Sequence, residues 1–180
     1  MTTEEEPTID SVRIYQGRVV GLRVDTVRLP HGGASQREIV EHGASVVLVP
    51  IDPQGRVLMV RQYRKPIERS LLELPAGGID PGESPEDAAR RELQEETGYL
   101  PGKLEPLGGV YASPGFCEEY LHLFLATDLI PSARPPDEDE NIDLVPVAWE
   151  QVPGLLESGG VCDAKSVAGL LRFWARQRHE

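Results

Sequence analysis

The stretch RRELQEETGY, residues 90–99, holds three glutamates, Glu92, Glu95 and Glu96, within five positions. Carboxylates crowded on one helix repel each other unless a positive charge lies among them. Two arrangements meet that demand. Arg90 and Arg91 can supply part of the counter-charge and make a salt-bridged, solvated surface. A divalent cation fits better, because Mg²⁺ favours carboxylate and water oxygens and keeps waters that a substrate phosphate can replace.

The elements around these residues are well punctuated. Ser84 suits an N-cap, Pro85 the first helical position, and Asp87 stands three residues after the serine as in a capping box. Gly98 suits a left-handed terminator. A helix over 85–97 follows. On a wheel of 100° per residue the three glutamates span an arc of about 100° and interleave with Ala88 and Ala89. A surface helix normally segregates its charges from its apolar stripe. Upstream, LPAGGIDPGE (74–83) is a glycine-rich loop leading straight into the cap. Such loops bring backbone close to a ligand, and backbone carbonyls can join carboxylates around a cation.

The rest of the chain has to position that helix. Residues 12–24 and 37–42 read as short strands of an N-terminal section, 1–42, ahead of a main domain over 43–180. ASVVLVPI and RVLMVRQYR flank the turn residues DPQG (52–55) and predict a hairpin. Further strands are expected at 71–74, 104–111, 119–129 and 144–149, and helices at 84–97, around 149–158, and at 163–177. Strands outnumber helices and short turns join neighbours, which points to α+β with a mixed sheet. SARPPDEDEN (132–141) reads as a solvated acidic loop.

Composition excludes several classes. The chain has 180 residues, 39% hydrophobic and 27% charged, as in an ordinary globular domain. Its 18 basic and 30 acidic residues give a net charge of −12, and no basic stripe is present to track phosphates, so no nucleic-acid partner is expected. The longest apolar run has eight residues, far short of a membrane span, and no membrane partner is expected. The acidic start MTTEEEPTID lacks the apolar core of a signal peptide, so the expected location is cytoplasmic. Cys117 and Cys162 have no metal-ligand spacing and are expected as free thiols. His122 reads as a strand residue, since Mg²⁺ prefers oxygen.

Gly77, Glu83 and the run Arg91-Glu92-Leu93-Gln94-Glu95-Glu96-Thr97-Gly98-Tyr99 resemble the complete Nudix box, G-x5-E-x7-R-E-U-x-E-E-x-G-U, with U a bulky apolar residue. Every fixed position is filled. The resemblance implies an α-β-α sandwich and Mg²⁺-dependent hydrolysis of a nucleoside diphosphate linked to another group, with Mn²⁺ as a substitute ion. It implies that Glu92, Glu95 and Glu96 hold two or three ions, that Arg91 orients the glutamates, and that Glu83 supports the loop–helix packing.

Outside the box the chain is similar to the ADP-ribose pyrophosphatase branch. VRQYRKP followed by LLELPAGG carries that likeness, as do Pro114, fifteen residues after Tyr99, and the stretches DEDENIDLVPV and VCDAKSVAGLL. The likeness implies hydrolysis of ADP-ribose to AMP and ribose 5-phosphate. By it, Ala76 offers a backbone carbonyl to a metal, Glu119 acts on the attacking water or a metal, with Glu118 competing for that role, and Glu95 belongs to the catalytic set. Arg61 and Arg64 contact phosphates, Glu73 the adenine, and Arg18 and Pro114 lie at the substrate. Tyr15, Val20 and Phe116 are further candidates near the base. A homodimer that exchanges N-terminal strands is also implied. The competing readings are a broader nucleoside diphosphate sugar hydrolase and a catalytically silent Nudix module that only binds ligand.

Overall fold

The computed structural model describes residues 5–134 and 141–178, so the acidic run at 135–140 lies outside the described residues. Strands β1 (Thr8–Gln16), β2 (Val20–Arg28) and β3 (Ala34–His42) form an antiparallel sheet in that order. The strand expected over 12–24 is therefore two strands. The chain reverses at Gly17, whose N–H donates to the Val20 carbonyl at 2.9 Å. Apolar residues continue on both sides of this turn, so the pattern alone hides it. Met1–Gly43 with Tyr111–Tyr120 make one compact unit, and Ala44–Val110 with Leu121–Glu180 make another.

The second unit runs through β4 (Ser45–Pro50), β5 (Arg56–Arg64), β6 (Arg69–Glu73), β7 (Ala76–Gly78) and α1 (Pro85–Thr97). It continues through β8 (Tyr99–Tyr111), β9 (Tyr120–Pro131), β10 (Ile142–Ala148), α2 (Val152–Glu157) and α3 (Ala164–Gln177). One sheet has the order β7-β4-β9-β8, with β4 parallel to β9 and antiparallel to β7. The other has the order β10-β5-β6. The expected hairpin forms only at its turn: Asp52 Oδ1 accepts from the backbone N–H groups of Gln54 and Arg56, both at 2.9 Å, Gly55 takes φ 75°, and one bridge joins Ile51 to Val57, while β4 and β5 enter different sheets.

The layers follow from β4, which is buried along its whole length. Its period of two sends alternate side chains to opposite faces. Val46 and Leu48 pack with Ala88, Ala89 and Leu93 of α1. Val47 and Val49 turn to α3, where a Cβ on Gly169 would lie 2.6 Å from Leu74 and 3.4 Å from Val49. The glycine lets the helix approach the sheet closely, and Ser166 Oγ accepts from the Leu74 N–H at 2.7 Å beneath it. Helix, mixed sheet and helix stack as an α-β-α sandwich. Each buried Val or Leu here contributes about 1.5–3 kcal/mol.

Candidate active site

Local chemistry sets α1 as the sequence predicts. Ser84 Oγ accepts from the Asp87 N–H at 3.1 Å, Glu86 and Asp87 occupy the first turn, and Gly98 closes the helix at φ 77°. Packing then fixes its rotation. Ala88, Ala89 and Leu93 are fully buried against the sheet, and this carries Glu92 and Glu96 to 8% exposure each. Carboxylates so little exposed need partners, since burying an unpaired charge is costly.

Arg91 is the main partner. Its Nε donates to Glu83 Oε1 at 3.0 Å and its Nη2 to Glu83 Oε2 at 2.9 Å, a bidentate fork. Nη2 also donates to the Gly78 carbonyl at 2.8 Å. Nη1 donates to Glu92 at 2.6 Å and to Glu95 at 3.2 Å. The Arg91 guanidinium holds the Glu83 carboxyl below its ordinary value, and Glu83 in turn raises Arg91 further. Glu96 Oε2 accepts from the Ala76 N–H at 3.1 Å, which ties the glycine loop to the helix. A Cβ on Gly77 would sit 2.1 Å from the Glu92 carboxylate carbon, so this position has no room for a side chain.

Gln94, the variable position between these glutamates, donates to Ser132 Oγ at 2.8 Å. Ser132 N–H donates to the Gly98 carbonyl at 2.8 Å, and Arg134 Nη1 lies 4.0 Å from Glu95. The segment entering the acidic run is thus fastened to the C-terminal end of α1. The sequence reading did not select Gln94 or Ser132, and no local signal marks them.

Among the described residues, no three His, Cys, Asp or Glu side chains are gathered as metal ligands. The glutamates are turned instead onto Arg91 and the Ala76 N–H. The donor set still fits a hard cation: it is all oxygen, from carboxylates and nearby backbone carbonyls, and Gly77, lacking a Cβ, lets the loop backbone lie close against the Glu92 carboxylate.

The other predicted residues fall elsewhere. Arg61 and Arg64 stand three positions apart on β5, in regular register with Leu72 and Arg69, and so occupy opposite faces of the strand. Arg61 is exposed. Arg64 binds Glu73 through Nε at 3.0 Å and Nη2 at 2.6 Å. Glu73, expected beside the adenine, is 1% exposed, and its carboxylate is occupied by Arg64 and by Lys165 of α3. Burial pushes the Glu73 carboxyl up, but the two cations together outweigh it and hold the group below its ordinary value.

In the N-terminal unit, Pro114 and Glu118 line a cavity of about 550 Å³ with Phe116, Arg23, Arg37 and Glu38. The three residues from β2 and β3 were not foreseen, because only the tertiary fold brings those strands to the 113–118 loop. The Val40 N–H donates to the Phe116 carbonyl at 2.7 Å and the Glu118 N–H to the Val40 carbonyl at 3.3 Å, fastening the loop to β3. Glu119 lies 3.6 Å from His42 Nδ1. Arg18 is exposed in the turn between β1 and β2.

Residues 41–168 match the NUDIX domain. The chain is 45% identical over 168 residues to an ADP-ribose pyrophosphatase of Bacillus subtilis (strain 168), covering 92% of this chain and 91% of that one. It is 42% identical over 165 residues to a methanol dehydrogenase activator of Bacillus methanolicus, covering 91% and 89%. A crystal structure described as an ADP compounds hydrolase superposes with a TM-score of 0.90 at 24% identity, covering 99% of this chain and 97% of that one. The capped helix with its Arg91-centred glutamates therefore has a family: this chain is a Nudix hydrolase.

Proposed function

We propose that the chain hydrolyses the diphosphate linkage of ADP-ribose, releasing AMP and ribose 5-phosphate, with Mg²⁺ as its working ion and Mn²⁺ as a substitute. The observation that carries this reading is the filled Nudix box on α1, where one guanidinium serves three carboxylates. The 45% identity to a named ADP-ribose pyrophosphatase supports the substrate.

Glu92, Glu95 and Glu96, with the Ala76 carbonyl, are the proposed ligands of two or three ions. Bound ions would offset phosphate charge and make water more acidic. Glu83 and Arg91 hold the glutamate array in register with the loop. Arg64 and Arg61 are the proposed phosphate contacts, and Arg18 and Pro114 the contacts toward the rest of the nucleotide. Glu119, with Glu118 as the competing candidate, takes the proton from the attacking water.

The working unit is proposed to be a cytoplasmic homodimer that exchanges its N-terminal strands. In support, every residue of β1 is exposed, including Ile9, Val12, Ile14 and Tyr15, at 52–57%. An edge strand this apolar is a ready surface for another chain. A sedimentation measurement giving only a monomer of 19.8 kDa would end the dimer reading.

The test of activity is AMP release from ADP-ribose with Mg²⁺, with and without a chelator, beside ADP-glucose and GDP-mannose. Fast, chelator-sensitive release from ADP-ribose is expected. Equal rates on all three would replace ADP-ribose by nucleoside diphosphate sugars at large.

A further inference from the structure

Helix α3 enters none of the roles above, yet its first turn reaches the phosphate arginine. Lys165 Nζ donates to Glu73 Oε2 at 2.5 Å and to Asp163 Oδ2 at 2.9 Å. Asp163 also caps α3 through the Ser166 N–H at 3.1 Å. Ser166 Oγ accepts from Leu74 N–H, two residues before Ala76, so this turn is stitched to the chain entering the glycine loop. The same Glu73 carboxylate takes Arg64, whose Nη2 donates to the same Oε2 and whose Nε donates to Oε1.

We propose that Lys165, acting through Glu73, is a positioning residue that orients Arg64 toward a diphosphate. The inference rests on the reading of Arg64 as a phosphate contact. Lys165 and Arg64 Nη2 share Glu73 Oε2, so the lysine fixes the oxygen that holds the guanidinium, and Asp163 in turn holds Lys165. Glu73 engages Nε and Nη2, which leaves Nη1 outside the fork. The Arg64 side chain retains 38% exposure, whereas Glu73 has 2% and Lys165 17%. The exposed end of this chain of contacts is the arginine. The Glu96 carboxylate also contributes to holding Arg64 charged, which puts the cluster within electrostatic reach of the α1 glutamates. Buried ion pairs return little net stability for the desolvation they cost. Positioning Arg64 accounts for this one better than folding does.

The experiment is a double-mutant cycle on ADP binding, read by calorimetry with Mg²⁺ present and with melting curves on every variant. Arg64→Met and Lys165→Met are each expected to weaken ADP by roughly tenfold, the size of one charge-assisted hydrogen bond. The double variant is expected to bind no worse than Arg64→Met alone, because residues acting through one group are non-additive. Lys165→Arg should restore near wild-type binding, which a merely structural lysine would not require. Should Lys165→Met not fold, Lys165→Gln, which keeps a donor without the charge, takes its place in the cycle. Unchanged ADP binding by the lysine variant, or losses that add in the double variant, would overturn the proposal. An Arg64→Met protein that binds ADP as tightly as wild type would end the phosphate reading, and this inference with it. A wild type that binds ADP but does not cleave ADP-ribose would end only the substrate assignment, and the cycle would still decide on Lys165.

Discussion

Two ionic clusters of the second unit differ in their charge balance. Around Arg91 one guanidinium serves Glu83, Glu92 and Glu95, with Glu96 held nearby by the Ala76 N–H. Around Glu73 one carboxylate serves Arg64 and Lys165. The first is short of positive charge and suits a cation; the second is balanced, Arg64 and Lys165 against Glu73 and Asp163, and holds one exposed guanidinium in place. A cluster built for stability alone would tend toward one-to-one pairing, so the imbalance of the first matches the metal of the proposed metal–diphosphate substrate.

The largest effect should come from the acidic cluster. Glu96→Gln is expected to lower turnover by roughly 10²–10³-fold, the cost of removing one preorganised electrostatic contact. Its melting temperature should stay near wild type, because one carboxylate among several adds little stability without metal. Undiminished Mg²⁺-dependent turnover would show that the acidic excess is not used.

Arg91→Met comes next. It leaves three carboxylates without their shared donor, and a loss of about 1–3 kcal/mol is expected in the absence of metal. Mg²⁺ should return part of that loss. Denaturant midpoints with and without Mg²⁺ check it, and an identical loss in both conditions would mean that arginine and cation do not answer the same charge.

A smaller, pH-dependent effect tests the Glu73 cluster. The folded Glu73 carboxyl lies below its ordinary value of 4.5, so its contribution is complete above that pH and is lost as pH falls through the folded value. Wild type should exceed Glu73→Gln in stability at neutral pH, and the gap should narrow below about pH 4.5. A gap that stays constant from pH 7 to pH 3 would contradict the pairing. Glu83 follows the same sign through Arg91.

The smallest effect is a control. Lys65 and Glu68 pair one-to-one at 2.6 Å with both side chains mostly exposed. Lys65→Ala should leave both melting temperature and turnover unchanged, as exposed pairs contribute little.

The acidic cluster was legible in the sequence because its parts are close in the chain. Ser84, Pro85, Gly98 and the glutamates all act within one helix and the loop before it, where spacing translates directly into geometry. The Glu73 cluster was legible only in part. Arg64 and Glu73 were both singled out, but their mutual contact and its third member were not, since Lys165 stands 92 residues from Glu73. The same holds for β7, whose three residues Ala76–Gly78 have no strand preference of their own and form a strand only by pairing with β4.

Local signals by themselves determined the capped helix, the DPQG turn, the glycine loop and the Nudix spacing, because short-range hydrogen bonds and steric rules decide those features. Tertiary structure alone decided which charges meet across distant elements. Burial of Ala88, Ala89 and Leu93 set which side of α1 faces the sheet, and the close approach of α3 at Gly169 brought Lys165 to Glu73. That pairing depends on packing between elements distant in the chain, and no local pattern encodes it.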